Sequence, residues 1–426
     1  MCNDSGGGRM FQLLVIADDF TGALDTGVQF AVNGIRTRVV VDPKTDLTGC
    51  EADVLVVDTE TRHLPPEEAA AVVGGLTGRA VAAGVERIYK KTDSALRGNV
   101  GAELESVLKA SGQTFLPFLP AFPQMGRITR GGIHYIDGVP VTESPFGKDP
   151  FEPVTHSAVT ELVREQSSLP VSHFPALRQG ERIPLAEGIL IFDAEREEEL
   201  ITTGRQLLTQ TGLPVMAGCA GFGSVLPQLL GMKKKETVPA PKLDPRLLVI
   251  CGSVNTITLA QLDRAENAGF ARMRLTPRQK LEQGYWESDE GKEELKQIEA
   301  FVENHPHAMI ETNDPGGNEP TAAYAGLLGL DREAMRVRIA GSLGHMVKAL
   351  IAGPGVGTLL LTGGDTLLQC MNCIGVRELE PVCELEKGIV LARFAWEGCP
   401  RYVITKSGGF GQEQLFTKLA ERIKNS

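Results

Sequence analysis

The chain is short of several things, and each absence removes a class of function. No segment of its 426 residues approaches the roughly 20 apolar residues that a membrane-spanning helix needs, and the N-terminus has no signal-peptide core. Base is not in excess: 43 Lys and Arg face 54 Asp and Glu, for a net charge of −11 and a pI near 5.3. That balance argues against nucleic acid or an anionic membrane as the main partner. An anionic small molecule stays compatible, provided local Arg and Lys overcome a repulsive overall field. The eight cysteines are scattered without framework spacing, which points to a reducing, cytoplasmic setting. There is no G-x-x-x-x-G-K-[ST] loop and no G-x-G-x-x-G turn, so a Walker P-loop is absent and a nicotinamide dehydrogenase is disfavoured. No fixed-period repeat is visible.

What remains is ordinary soluble composition, 42% hydrophobic and 23% charged, in a chain too long for one core. The division falls at 231–246, GMKKKETVPAPKLDPR, a Lys run with three prolines and no apolar period. It separates a domain over 10–230 from a domain over 247–426. Residues 1–9, Gly-rich and polar, read as a disordered extension. Strands are expected at 13–17, 37–41, 53–57, 86–90, 114–119, 189–193 and 213–217, and then at 247–251, 271–275, 308–312, 358–362 and 402–405. Helical patterns lie between them, notably 256–267, 292–303 and 332–352. Strands alternating with helices make an α/β chain, each domain built on a mostly parallel sheet flanked by helices. Residues 126–153, rich in Gly and Pro, break the pattern and read as a long hairpin or loop of the kind that often carries function.

LLVIADDFTGALDTGVQFA, 13–31, is the most informative stretch. An apolar run long enough for a buried parallel strand ends in Asp18 and Asp19, and Gly22 then opens a helix. Ligands of open α/β sheets sit at such strand ends. Two close carboxylates there need a cation, a proton or a bound polyol between them. The plainer alternative is that one of them caps the helix.

A second strand–helix junction, YKKTDSALRGNVGAELESVLKA (89–110), packs Lys90, Lys91, Thr92, Asp93, Ser94 and Arg97 into a few residues. Arginine offers a planar fork to a carboxylate, and aspartate accepts from a sugar hydroxyl. Helix capping by Asp93 or Ser94, and pairing of Arg97 with Glu103, are the structural alternatives. DTETRHLPPEEA (58–69) brings Arg62 to the same sheet edge.

The second domain offers three strand–Gly–helix turns: Ser253 and Asn255 after 247–251, Thr362-Gly363-Gly364-Asp365-Thr366 after 358–362, and Lys406 to Gly411 after 402–405. Glycines let backbone N–H groups approach an anion, and a following helix N-terminus favours phosphate. GPGVG at 353–357 precedes its strand and reads as a plain turn. Cys370-x-x-Cys373 has metal spacing but lies in an apolar helix, where cysteine behaves as a small hydrophobe. His134 and Tyr135 read as ordered hairpin residues rather than substrate contacts.

Taken in order and spacing, IADDFTGALDTGVQ, KKTDSALRGNVG, TGGDT and TKSGGFG resemble the four-carbon acid sugar kinases, from about Met10 to the C-terminus. The resemblance implies an N-terminal domain for a tetronate, a C-terminal domain for ATP, and phosphoryl transfer to the C4 hydroxyl in the interdomain cleft. Asp18, Asp19, Arg62, Lys91, Thr92, Asp93, Ser94 and Arg97 would line the acid-sugar site. The catalytic base would be one of Asp18, Asp19 and Asp93. Ser253, Thr362, Gly363, Gly364, Asp365, Thr366, Gly408 and Gly409 would line the ATP site, with Mg²⁺ as cofactor on ligands the sequence does not identify. ALDTGVQFA looks most like the D-threonate and D-erythronate branch. A 3-oxotetronate kinase and a non-catalytic sugar-acid or nucleotide sensor are the alternatives, and a homo-oligomer is compatible.

Overall fold

The computed structural model describes residues 11–149, 153–183, 186–232 and 241–425. The expected extension at 1–9 and half of the expected linker, 233–240, lie outside these residues. The chain forms two compact α/β units, Met1–Thr237 and Val238–Ser426.

In the first unit the strands are β1 (Leu13–Ala17), β2 (Thr37–Val40), β3 (Val54–Asp58), β4 (Ile88–Lys91), β5 (Phe115–Leu119), β6 (Arg127–Arg130), β7 (Ile133–Ile136), β8 (Val139–Pro140), β9 (Val171–Phe174), β10 (Gly188–Phe192) and β11 (Val215–Gly218). Eight of them make a parallel sheet in the order β2-β3-β1-β4-β11-β5-β10-β9. Every residue of β1 is fully buried, because helices cover both faces of a parallel sheet. Leu14 and Ile16 join Val57, Leu104 and Phe118 in the core. The chain leaves β1 toward β2 and returns through β3, then crosses to β4 on β1's other side. The carboxyl end of β1 is therefore a switch point, where the loops after β1, β3 and β4 diverge around a crevice. Residues 126–149 are partly structured: β6, β7 and β8 form a small antiparallel sheet, with short 3₁₀ turns after it.

The second unit contains β12 (Leu247–Cys251), β13 (Ala271–Arg274), β14 (His307–Glu311), β15 (Thr358–Thr362), β16 (Glu378–Glu386), β17 (Ile389–Trp396) and β18 (Cys399–Lys406). Their order is β13-β14-β12-β15-β18-β17-β16, parallel up to β18 and antiparallel thereafter. The sequence pattern missed β16, β17 and the first half of β18. Antiparallel strands can bury one face and expose the other; β16, ELEPVCELE, intersperses glutamates among its apolar residues and so carries no long apolar run, while β17 opens on a short one, IVLA. Helix Thr256–Asn267 matches its expected span, and Asp289–Asn304 and Arg332–Leu350 lie within two or three residues of theirs. Among the described residues, no helix is long and apolar enough to cross a membrane.

Candidate active site

The crevice of the first unit is built by three loops pinned to one another. Thr59 Oγ1 donates to Ala17 O at 2.7 Å, and the amides of Thr61 and Arg62 donate to Asp18 O at 3.1 and 3.2 Å. Asn99 Nδ2 clamps the far side of that loop, reaching Thr61 O at 2.9 Å and Leu64 O at 2.7 Å. Beneath them the fully buried Lys90 pairs with Glu103 at 2.9 Å, and Thr61 Oγ1 donates to the same carboxylate. Lys90 thus belongs to the floor, and Glu103 is its partner rather than that of Arg97.

On this floor Arg62 bridges the two adjacent aspartates: Nε donates to Asp18 Oδ2 at 2.7 Å and Nη2 to Asp19 Oδ1 at 2.5 Å. Asp19 also caps helix Phe20–Ala31, accepting from Gly22 N at 3.1 Å, so the structural and site roles coincide in one residue. Arg97 grips Asp93 with two parallel bonds, 2.9 and 3.0 Å, and Arg62 stands 3.7 Å from the same carboxylate. Burial alone would raise the Asp93 carboxyl, but Arg97, Arg62 and Arg127 overcome it and hold the group well below the usual range. Asp18 is likewise buried yet lowered, by Arg62, Lys91 and Lys90. Asp58 goes the other way: burial, Glu60 and Asp19 raise its carboxyl well above its ordinary value.

Several groups are left open. Asp18 Oδ1 and Thr92 Oγ1 are buried with no hydrogen-bond partner among the described residues. Lys91 is 3% exposed, and its Nζ sits beside Gly22, 2.5 Å from where a Cβ would stand. Buried polar atoms left without a partner, as Asp18 Oδ1 and Thr92 Oγ1 are, cost stability unless a ligand or water completes them.

Arg127, which the sequence reading did not single out, enters from β6. It is 6% exposed, donates to Ser94 Oγ, and shares the face of Phe146 with Arg97, each guanidinium 5.2 Å from the ring centroid. His134 fastens the hairpin beside it. Nε2 lies 3.0 Å from the Ser94 carbonyl, so that nitrogen carries the proton, and Nδ1 faces Thr129 Oγ1 at 3.0 Å. Nothing in the spacing around Arg127 distinguishes it from a surface arginine; only the fold of the hairpin brings it in.

In the second unit, Ser253, the strand–helix junction Thr362–Thr366, Gly408 and Gly409 lie at the carboxyl ends of β12, β15 and β18. Gly363 has φ +99°, out of reach for most side chains, and its missing Cβ lies 3.9 Å from Ser253 N. A Cβ on Gly408 would strike Ser253 Oγ at 2.6 Å, whereas one on Gly409 would meet nothing nearer than Asn255 Nδ2 at 3.8 Å. Gly408 is a packing glycine, and Gly409 borders open space. Lys406 ties this turn down, donating to Thr258 Oγ1 at 2.8 Å and to the carbonyls of Ser407 and Gly408 at 3.1 Å; burial pulls its pKa down to about 8. Thr362 is fully buried and donates to Cys251 Sγ at 3.3 Å, so its hydroxyl faces inward. Gly363 takes the N-cap position of helix Gly364–Cys373, and the Asp365 carboxylate is engaged by Arg336. Cys370 is buried in that helix.

A family profile described as a sugar-binding N-terminal domain matches residues 13–226, and one described as a nucleotide-binding C-terminal domain matches 248–416. A D-threonate kinase of Salmonella typhimurium is 31% identical over 94% of this chain and 96% of its own. The chain belongs to the four-carbon acid sugar kinase family. A D-erythronate kinase of Heliobacterium modesticaldum is 28% identical over 94% of each chain, and a 3-oxo-tetronate kinase of Pseudomonas fluorescens is 27% identical over 95% of each. A crystal structure from Salmonella typhimurium carrying a provisional tRNA synthase name aligns with a TM-score of 0.77 at 22% identity, over 96% of this chain and 98% of that one; at this identity the likeness is one of fold. In this acid sugar kinase family member, the profile for sugar binding spans the Asp–Arg crevice and the profile for nucleotide binding spans the glycine turns.

Proposed function

We propose that the protein is an ATP-dependent, cytoplasmic kinase that phosphorylates the C4 hydroxyl of D-threonate or D-erythronate. The observation that carries this reading is the unfinished state of the first crevice, where an unpartnered oxygen of Asp18 and the buried ammonium of Lys91 stand with three guanidinium groups. A tetronate supplies what each lacks: a carboxylate for the cations and hydroxyl protons for the acceptors. Nucleotide binding falls to the glycine turns of the second unit, with Gly409 as the point of closest backbone approach to phosphate.

In the transfer step, Asp18 Oδ1 orients the attacking C4 hydroxyl and takes its proton as the bond to phosphorus forms. Asp93 is unsuited to that role, because Arg97 occupies both of its oxygens, whereas Asp18 keeps one without a partner. It fixes the fork of Arg97 for the substrate carboxylate instead. Attack requires the hydroxyl oxygen within roughly 3–3.5 Å of the γ-phosphorus.

Among the described residues, no three His, Cys, Asp or Glu side chains converge as a metal cage. Mg²⁺ would ride on the nucleotide's own oxygens with one or two protein carboxylates, and Asp365, now paired with Arg336, would be the candidate among the glycine-turn residues. Bound there, the ion would neutralise phosphate charge.

The test is an ADP-release assay on D-threonate, D-erythronate and 3-oxotetronate, with and without Mg²⁺. Turnover confined to 3-oxotetronate would reassign the substrate, and binding without turnover would make the protein a sensor.

A further inference from the structure

The loop after β14 carries a feature that the glycine turns do not explain. Arg272 Nε and Arg274 Nε hold one oxygen of the fully buried Glu311 at 2.6 and 3.1 Å. The other oxygen accepts from Asn313 Nδ2 at 3.0 Å, and the same nitrogen donates to Ser253 O at 3.1 Å. Both neighbours can only accept, so the amide orientation is fixed and cannot be flipped. Asn313 is 6% exposed, and its Oδ1 is buried without a hydrogen-bond partner among the described residues. The loop itself is held: Thr312 N donates to Cys251 O at 3.1 Å, and Asp314 pairs with the buried Lys280 at 2.5 Å. A rigid, buried acceptor has thus been placed two strands away from Gly363, with β12 between, against the backbone of Ser253.

A carbonyl oxygen repels phosphate, so this group does not serve the anionic part of a ligand. It requires a neutral N–H or O–H donor. The nucleoside end of ATP offers the ribose hydroxyls and the exocyclic amine of adenine. We propose that Asn313 Oδ1 accepts a hydrogen bond from the nucleoside end of the nucleotide, which makes Asn313 a determinant of nucleotide specificity. The proposal rests on the assignment of nucleotide binding to this unit. It adds a fourth strand-end loop to that site, and Glu311 with its two arginines serves to position the amide.

Titration calorimetry of the full-length protein with ADP, 2′-deoxy-ADP, 3′-deoxy-ADP and IDP tests it, the three analogues each deleting or replacing one donor. The wild type is expected to bind one analogue about tenfold or more weakly than ADP, the scale on which a site rejects a ligand lacking the group it was built to pair. Asn313→Ala should bind ADP more weakly and lose that discrimination. Equal binding of all four nucleotides by the wild type would overturn the proposal whatever the variant does. Discrimination that persists unchanged in Asn313→Ala would overturn it too. A wild type that binds no ADP would instead overturn the nucleotide assignment on which it rests.

Discussion

Gly22 shows how little room the acid-sugar crevice leaves. A Cβ at this position would press on Asp19 Oδ1 and stand 2.5 Å from Lys91 Nζ, although in an open helix Ala is favoured over Gly. Gly22→Ala is therefore expected to lower kcat/KM at least about tenfold, through displaced polar groups. Gly75→Ala, in helix Pro66–Ala82 with nothing within 4 Å of the new methyl, serves as the control with unchanged activity. Wild-type kinetics for Gly22→Ala would separate Lys91 and Asp19 from the reaction. Arg97→Lys keeps the charge but loses the two-point grip on Asp93, and kcat/KM should fall by about 10²-fold. Asp18→Asn should lose as much, mainly in kcat, if its open oxygen is the base. An effect confined to KM would make Asp18 a binding group only.

At the scale of elements, the hairpin is pH-sensitive through His134. Burial pulls this imidazole down to about 4, while the unfolded chain keeps its ordinary value near 6.5. Above about pH 6.5 neither state is protonated, and the hairpin's contribution is complete. As pH falls from there toward 4 the unfolded state binds the proton first, and stability drops by about 3 kcal/mol in all. Urea titrations at pH 7 and pH 5 should show about 2 kcal/mol of this loss, and His134→Gln should remove most of it; an equal loss in both proteins would contradict the account. The glycine turn after β18 makes a second element-level prediction. Gly409→Val should fold normally and weaken nucleotide binding, while Gly408→Val should destabilise the unit through Ser253.

These elements also show why some of the molecule was legible in the sequence and some was not. The loops after β1 and β3 could be read because a parallel strand buried on both faces is an apolar run that ends visibly at an acid, whereas β4, IYKK, was legible by its place between helical patterns and by the polar cluster that follows it. Arg127 and Phe146 could not, since they reach Ser94 and Arg97 through the tertiary path of a hairpin, not through local spacing. Asn313 was legible in principle. NDPGGN follows a strand and precedes a helix just as TGGDT does, but its glycines come after the polar residues and not before them. β16 escaped because its four glutamates obscure the apolar positions between them.

For the whole molecule, net charge −11 sets a field that repels both an acid sugar and ATP, so binding depends on locally concentrated cations and should weaken little with added salt where those cations are buried. Arg62 and Lys91, at 9% and 3% exposure, belong to that class. The two ligands are assigned to different units, so water alone should be a poor acceptor: ATP hydrolysis without an acid sugar is expected to be at least ~10²-fold slower than transfer, because Asp18 then has no hydroxyl to orient. The most direct test of the account is the rate of ADP release with ATP, Mg²⁺ and either D-threonate or D-erythronate, with the product's phosphate position read by NMR. The account predicts Mg²⁺-dependent release that requires the tetronate and yields the 4-phosphate, slowed about 10²-fold in Asp18→Asn. ADP release at the same rate without the tetronate, or a phosphate at any other carbon, would contradict it.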